Sequence, residues 1–286
     1  MNVIKSLKEM AKIAQEPSNS KNTIGFIPTM GALHNGHLAL IRQARKENKR
    51  VIVSIFINPK QFTNESDLMK YPRTIEQDVE LIQDFVDFIF IPSACEIYPQ
   101  DFQLSISVGA HTHDLEGEFR PGHFEGMATV VLKLLNIIRP DRAYFGLKDY
   151  QQFIVVSQMV KDFNIDTKII GVPTIREISG LAMSSRNTRL SDKEKEISTR
   201  IYGILQKAKS VILNGAQNPQ DIEKFVASEL VKLPKSKVEY VAVRSLQLAK
   251  MKVIESDMVI LVAVYIGEVR LIDNIIVPSG IQGADH

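Results

Sequence analysis

Apolar positions fall along this chain in short, punctuated runs. Thr23-Ile24-Gly25-Phe26-Ile27, Val51-Ile52-Val53-Ser54-Ile55-Phe56-Ile57, Phe85 to Pro92, Arg142-Ala143-Tyr144-Phe145 and Lys168 to Thr174 are rich in β-branched and aromatic residues and predict strands. The unbroken run at 51–57 suits a parallel strand buried on both faces. Between these runs, residues 38–45, 127–138 and 150–162 read as helices. Thr74-x-x-Gln77 reads as a capping box that opens another, through Gln83. Residues 3–15 read as a short amphipathic helix ended by Glu16-Pro17-Ser18-Asn19, and residues 104–108 as a short strand. Strand alternating with helix predicts an α/β fold with a doubly wound parallel sheet. In such sheets ligands lie beyond the carboxyl ends of the strands.

The pattern changes after the polar stretch from Arg176 to Arg189. Ser191-Asp192-Lys193-Glu194 is a capping box opening a charged helix to about Leu213, which Asn214-Gly215 closes. Asn218-Pro219 precedes a second helix to about Val231. Val238 to Val243 and Met258 to Val277 read as antiparallel strands, with a hairpin turn at Ile266-Gly267-Glu268. Two domains are expected: residues 1–175 and a smaller α+β domain, residues 176–286.

Composition narrows the picture. The 286 residues are 44% hydrophobic and 24% charged, the proportions of an ordinary globular protein. Thirty-five basic against 33 acidic residues leave a net charge of +2, which gives no case for nucleic-acid or membrane partners. One cysteine, Cys95, excludes an internal disulfide framework and fits a reducing compartment. No apolar run reaches the ~18 residues of a spanning helix. The chain reads as soluble and cytoplasmic.

Polar patches cluster where predicted strands end. Pro28-Thr29-Met30-Gly31-Ala32-Leu33-His34-Asn35-Gly36-His37 lies at a strand-to-helix turn. A helix N-terminus there offers unpaired backbone N–H groups and a partial positive charge, which makes an anion site. His34 and His37, three residues apart, face the same way on a first helical turn. Taken alone, the pair is compatible with an ordinary turn, a metal-ligand pair or catalysis; a zinc site would need a third ligand, which His111-Thr112-His113 could supply. Lys148 and Asp149 open the helix at 150–162 and are either a phosphate grip or a solvated pair. Met183-Ser184-Ser185-Arg186 offers hydroxyls, amides and a guanidinium, suited to a triphosphate or to a plain helix cap. Gln61 and Gln152 are neutral groups suited to hydroxyl and carboxylate recognition, though either alone is more often a surface residue.

Taken in order, these patches carry a resemblance. His34-Asn35-Gly36-His37 resembles the HIGH motif of Rossmann-like nucleotidyltransferases, a widely shared signal. The longer string from Pro28 is similar to the pantoate–β-alanine ligase family. So are Phe56-Ile57-Asn58-Pro59-Lys60-Gln61-Phe62, Tyr71-Pro72-Arg73-Thr74, Arg120-Pro121-Gly122-His123-Phe124, Phe145 to Gln152, and Gly180 to Asn187. The ordered set spans essentially the whole chain. The family implies a two-step ligation: pantoate attacks the α-phosphate of ATP to give pantoyl adenylate and pyrophosphate, and β-alanine then displaces AMP. Carried over by motif, Met30, Gly31, Ala32, Leu33, His34, Asn35, Gly36 and His37 bind ATP, with His37 as proton donor and His34 and Lys148 serving the phosphates. Gly146, Leu147, Lys148, Asp149, Ile175, Met183, Ser184, Ser185 and Arg186 also contact ATP. Gln61 is expected to bind pantoate and β-alanine, and Gln152 pantoate, with Asn58, Tyr71 and Arg120 as further substrate contacts. The resemblance implies Mg²⁺ held chiefly by the ATP phosphates, with Asp78 and Asp149 as candidate helpers, a homodimer, and a lid role for the second domain. Leu147 stands where an acidic residue is frequent, and Ile175 where valine is usual.

Overall fold

Alternation within each strand decides how the sheet is covered. In the computed structural model, which describes residues 1–15 and 23–278 (without the side chains of 110 and 111), nine strands form. They are β1 (Asn2–Ile4), β2 (Ile24–Thr29), β3 (Arg50–Ile55), β4 (Phe88–Phe90), β5 (Arg142–Gly146), β6 (Lys168–Val172), β7 (Ser236–Ser245), β8 (Met258–Ile266) and β9 (Val269–Val277). The helices are α1 (Leu7–Ala14), α2 (Asn35–Glu47), α3 (Glu65–Lys70), α4 (Ile75–Ile82), α5 (Ala94–Ile97), α6 (Glu116–Phe119), α7 (His123–Ile138), α8 (Tyr150–Asp162), α9 (Asp192–Leu213) and α10 (Pro219–Val231). The chain divides into two compact units: Met1–Leu147 with Gln151–Pro173, and Lys148–Tyr150 with Thr174–His286.

The first unit is built on a six-stranded sheet in the order β1-β4-β3-β2-β5-β6, with every pairing parallel. Ile24, Phe26, Ile52, Phe90 and Phe145 pack into one core with Phe124, Met127, Leu134 and Ile138 of α7. Their neighbours Ile27, Val51, Val53, Ile89 and Tyr144 pack into another with Leu38, Ile41 and Ala44 of α2. Period-two alternation thus gives the sheet two buried faces, as the apolar runs require. From β2 the chain builds outward through β3 and β4, then returns to lay β5 on the other side of β2. The order reverses between β2 and β5, and the loops leaving their carboxyl ends open on that crevice.

In the second unit, α9 and α10 cover one face of the antiparallel sheet β7-β8-β9. Met258, Ile260, Val262, Val264 and Ile266 alternate along β8 into the same core as Ile201, Leu205, Ile222 and Leu230. The expected capping box opens α9: Ser191 Oγ accepts from Glu194 N–H, and Glu194 accepts from Ser191 N–H at 3.0 Å. Gly267 turns the β8–β9 hairpin at φ +60°.

Three local expectations need correction. Residues 3–15 are not one helix; Asn2–Ile4 pairs with β4 as an edge strand, and Ser6 caps α1, which begins at Leu7. The expected helix stop at 16–19 lies outside the described residues. Residues 104–108 form no strand; Ile106 N–H is bound instead by Thr129 Oγ, at 3.2 Å. Helix α4 forms as expected, but Thr74 makes no side-chain cap; its hydroxyl donates to Asp78 Oδ2 at 3.2 Å. No described helix is long and apolar enough to cross a membrane.

Candidate active site

The turn from Met30 to His37 leaves β2 at the crevice. Gly31 and Ala32 both take left-handed conformations, at φ +81° and +51°. At Gly31 a Cβ would stand 3.0 Å from Asp78 Oδ2 and 3.1 Å from Ile55, so only glycine fits. The turn's amides are committed internally. Gly31 N–H donates to Thr29 Oγ at 3.2 Å, Ala32 N–H to Asp78 Oδ2 at 2.9 Å, and Leu33 N–H to Asp78 Oδ1 at 2.7 Å. Gly36 N–H donates to His34 Nδ1 at 3.1 Å, and His34 N–H to His37 Nδ1 at 3.2 Å. The sequence pattern promised a helix start with open N–H groups; instead the two imidazoles form a reciprocal cap on α2. Gly31, Ala32, Leu33, His34 and Gly36 therefore offer no unclaimed amide to an anion.

That cap sets the chemistry of the histidines. An Nδ1 that accepts from a backbone N–H carries a lone pair, so the neutral ring bears its proton on Nε2. Charging either ring would put an Nδ1 proton against a donor. The ring centroids lie 4.2 Å apart. With Nδ1 of each ring used as an acceptor, Nε2 is the donor that a neutral ring offers.

Past β3, Asn58 caps a single 3-10 turn, Pro59–Gln61. Asn58 and Gln61 are both buried. Gln61 Oε1 accepts from Asn58 Nδ2 at 3.0 Å, and Gln61 Nε2 donates to Met30 Sδ at 3.0 Å, linking this turn to the one before it. Helix α7 comes so close that a Cβ on Gly126 would lie 2.2 Å from Lys60 O. His123 Nδ1 lies 2.8 Å from Gln61 O. Tyr71 is buried edge-on against Phe62, ring centroids 5.6 Å apart. Arg120 lies 3.8 Å from Glu116. Gln152, on α8, is half-buried, while its neighbour Gln151 is structural: it accepts from Glu116 N–H at 2.9 Å and donates to Asp114 O at 3.0 Å. Gly146 and Leu147 end β5 and begin the turn beyond it.

In the second unit, Lys148 is half-buried and Asp149 exposed. Asn274 Nδ2 donates to Lys148 O at 2.9 Å. Ile175 O accepts from Met183 N–H at 2.9 Å, and Ser184 Oγ from Arg186 N–H at 3.2 Å. The segment holding Ile175 and Met183 to Arg186 is tied down by Arg176. Its guanidinium pairs bidentately with Asp273, at 2.7 and 2.8 Å, and lies 3.5 Å over the Tyr202 ring.

Among the described residues, no group of three or more His, Cys, Asp or Glu could hold a metal ion. Both Asp78 oxygens accept from backbone donors.

A parallel sheet with a His-x-x-His helix start at its switch point defines a Rossmann-like α/β enzyme of nucleotide chemistry. The family model described as pantoate-beta-alanine ligase matches residues 2–276. A pantothenate synthetase of Caldicellulosiruptor bescii is 44% identical over 281 residues, covering 98% of this chain and all of that one. A crystal structure of pantothenate synthetase from Thermus thermophilus superposes with a TM-score of 0.90 at 39% identity, over 96% of this chain and 99% of that one. A pantoate-beta-alanine ligase from Francisella tularensis, crystallised with beta-gamma ATP and beta-alanine, does so at 0.80 and 42% identity, over 96% and 97%. The chain belongs to the pantoate–β-alanine ligase family, and its reaction is the ATP-dependent joining of pantoate to β-alanine to give pantothenate.

Proposed function

We propose that the ligation runs through pantoyl adenylate. A carboxylate is a poor acylating agent until an oxygen is made part of a good leaving group. The pantoate carboxylate attacks the α-phosphorus of ATP, a carboxyl oxygen–phosphorus bond forms, and pyrophosphate leaves. The β-alanine amine then attacks the acyl carbon, and AMP departs with that oxygen. Two anions must approach one another in the first step, and charge grows on pyrophosphate as it leaves.

In the first unit we assign ATP to residues 30–37, 146 and 147. The observation that carries the reading is the reciprocal histidine cap at the sheet's switch point, which supports two Nε2–H donors for phosphate oxygens. In this arrangement His37 acts as a hydrogen-bond donor to developing charge, held in its tautomer by the His34 amide. We assign pantoate to Gln61 and Gln152, β-alanine to Gln61, and peripheral roles to Tyr71 and Arg120. In the second unit, Lys148 and Arg186 supply cations for the triphosphate, Ser184 and Ser185 hydroxyls, and Ile175 and Met183 backbone contacts. Mg²⁺ enters with ATP and screens its phosphates. Adenylates hydrolyse in water, which is the chemical reason for giving the second unit a lid role. We propose a cytoplasmic homodimer, consistent with the lone Cys95.

Product analysis with pantoate, ATP and β-alanine tests the reading: AMP and pyrophosphate are expected in equal amounts with pantothenate. ADP and phosphate in their place would replace the adenylate with an acyl phosphate.

A further inference from the structure

Tyr98 belongs to none of the residue sets assigned above. It follows α5, half-buried, its ring 6.3 Å from that of Phe56 and 5.1 Å from that of Phe102. Its hydroxyl donates to Asn58 Oδ1 at 2.8 Å. Burial pushes the phenol well above its ordinary pKa of 10, so it stays a donor at any working pH.

Asn58 is 1% exposed, and its hydrogen-bonding capacity is used in full. Oδ1 accepts from Tyr98 and, at 3.3 Å, from Lys60 N–H. Nδ2 donates to Gly126 C=O and to Gln61 Oε1, each at 3.0 Å. Backbone groups settle the direction of this chain of bonds. An N–H only donates and a carbonyl only accepts, so Lys60 N–H fixes the oxygen side of the amide and Gly126 C=O the nitrogen side. Asn58 cannot flip without orphaning both. It therefore shows an N–H to Gln61, and Gln61 must answer with Oε1. Gln61 Nε2 is then forced to the opposite side, where it meets Met30 Sδ. A thioether is a weak acceptor, so a ligand oxygen would be preferred there.

We propose that Tyr98 is a positioning residue: its hydroxyl adds the second bond to Asn58 Oδ1 and holds in place the amide whose direction Lys60 N–H and Gly126 C=O set, and that amide commits Gln61 to present its N–H groups, so that this subsite takes a substrate oxygen that accepts. Asn58 thus serves pantoate through Gln61 and not by direct contact. The inference rests on the reading of Gln61 as a pantoate contact. It also predicts a sign: a carboxylate at position 61 keeps the acceptor toward Asn58 and loses the donor toward pantoate, itself an anion.

Steady-state kinetics of the full chain test this. Tyr98→Phe keeps the ring and removes one neutral hydrogen bond; the KM for pantoate should rise about three- to tenfold, with kcat and the KM for ATP within about twofold. Gln61→Ala should raise the pantoate KM further, and Gln61→Glu further still. In the Gln61→Ala background, Tyr98→Phe should add nothing, because the group it positions is gone. Equal rises in the ATP and pantoate KM, or a Tyr98→Phe effect that persists undiminished without Gln61, would mark Tyr98 as merely structural and overturn the proposal. A pantoate-deficient Gln61→Ala beside a silent Tyr98→Phe would sink the relay alone. A silent Gln61→Ala would sink the assignment of Gln61, and the relay with it.

Discussion

Replacing Asp78 with asparagine changes one atom and should disable the turn that carries both histidines. Asp78 is 3% exposed, and its two oxygens hold the amides of Ala32 and Leu33 at 2.9 and 2.7 Å. Asparagine can keep one of these bonds; its NH₂ then faces the other N–H, donor against donor. A hydrogen bond to a charged group contributes about 1.5–3 kcal/mol. Ala32 sits at φ +51°, and a strained residue of this kind costs of order 1–3 kcal/mol and persists only while its surroundings hold it. Two outcomes follow from these magnitudes. Asp78→Asn should lower the unfolding free energy by about 2–3 kcal/mol, measured as a fall in the urea midpoint at unchanged m. It should also reduce kcat by ~10²-fold, as misplacement of reacting groups by about 1 Å does. Pyrophosphate release measured across a Mg²⁺ titration supplies the control, because a clamp variant gains nothing from added metal. Wild-type stability and kcat in Asp78→Asn would refute the clamp, and restoration of activity by excess Mg²⁺ would make Asp78 a metal ligand instead.

Three further outcomes are expected. Gly126→Ala puts a Cβ 2.2 Å from Lys60 O and 2.8 Å from Gln61 N, so it should cost about 1–3 kcal/mol of stability by denaturant titration and weaken pantoate use more than ATP use. His37→Asn and Lys148→Ala should each lower kcat by ~10²–10³, the cost of losing one transition-state donor, with His37→Asn retaining an acceptor for the α2 cap and hence a near-normal thermal midpoint. Glu47 is held below its ordinary pKa of 4.5, chiefly by the Tyr144 hydroxyl at 2.8 Å and also by Gln43 and Arg142. Its contribution to stability is therefore present above about pH 4.5 and lost as pH falls through the depressed value. Glu47→Gln should thus be the less stable protein at neutral pH, with the difference vanishing in acid.

Much of this was legible in the sequence because it is local. The unbroken apolar run at 51–57 announced a strand buried on both faces, Arg142 to Phe145 a short strand, and Ser191-x-x-Glu194 the start of α9. The His-x-x-His spacing placed both rings on one helical turn, and they do meet there. What escaped was nonlocal. Nothing at Asp78 reveals that its partners lie 45 and 46 residues away, and the family resemblance had made the same carboxylate a candidate metal helper. The capping box at Thr74 failed because Thr74 turns to Asp78. Tyr98 meets Asn58 across 40 residues. Arg176 finds Asp273 across 97 residues and Gly126 finds Lys60 across the first unit, contacts that leave no periodic trace. The edge strand at residues 2–4 was missed because three residues carry too little pattern to separate strand from helix.

The central claim is that the pantoate carboxylate itself attacks the α-phosphorus of ATP. Pantoate labelled with oxygen-18 in its carboxylate, turned over with ATP and β-alanine, tests it directly by mass spectrometry of the nucleotide product. One labelled oxygen should appear in each AMP, carried across when the amine displaces the adenylate. Unlabelled AMP, or label recovered in inorganic phosphate, would contradict the adenylate pathway.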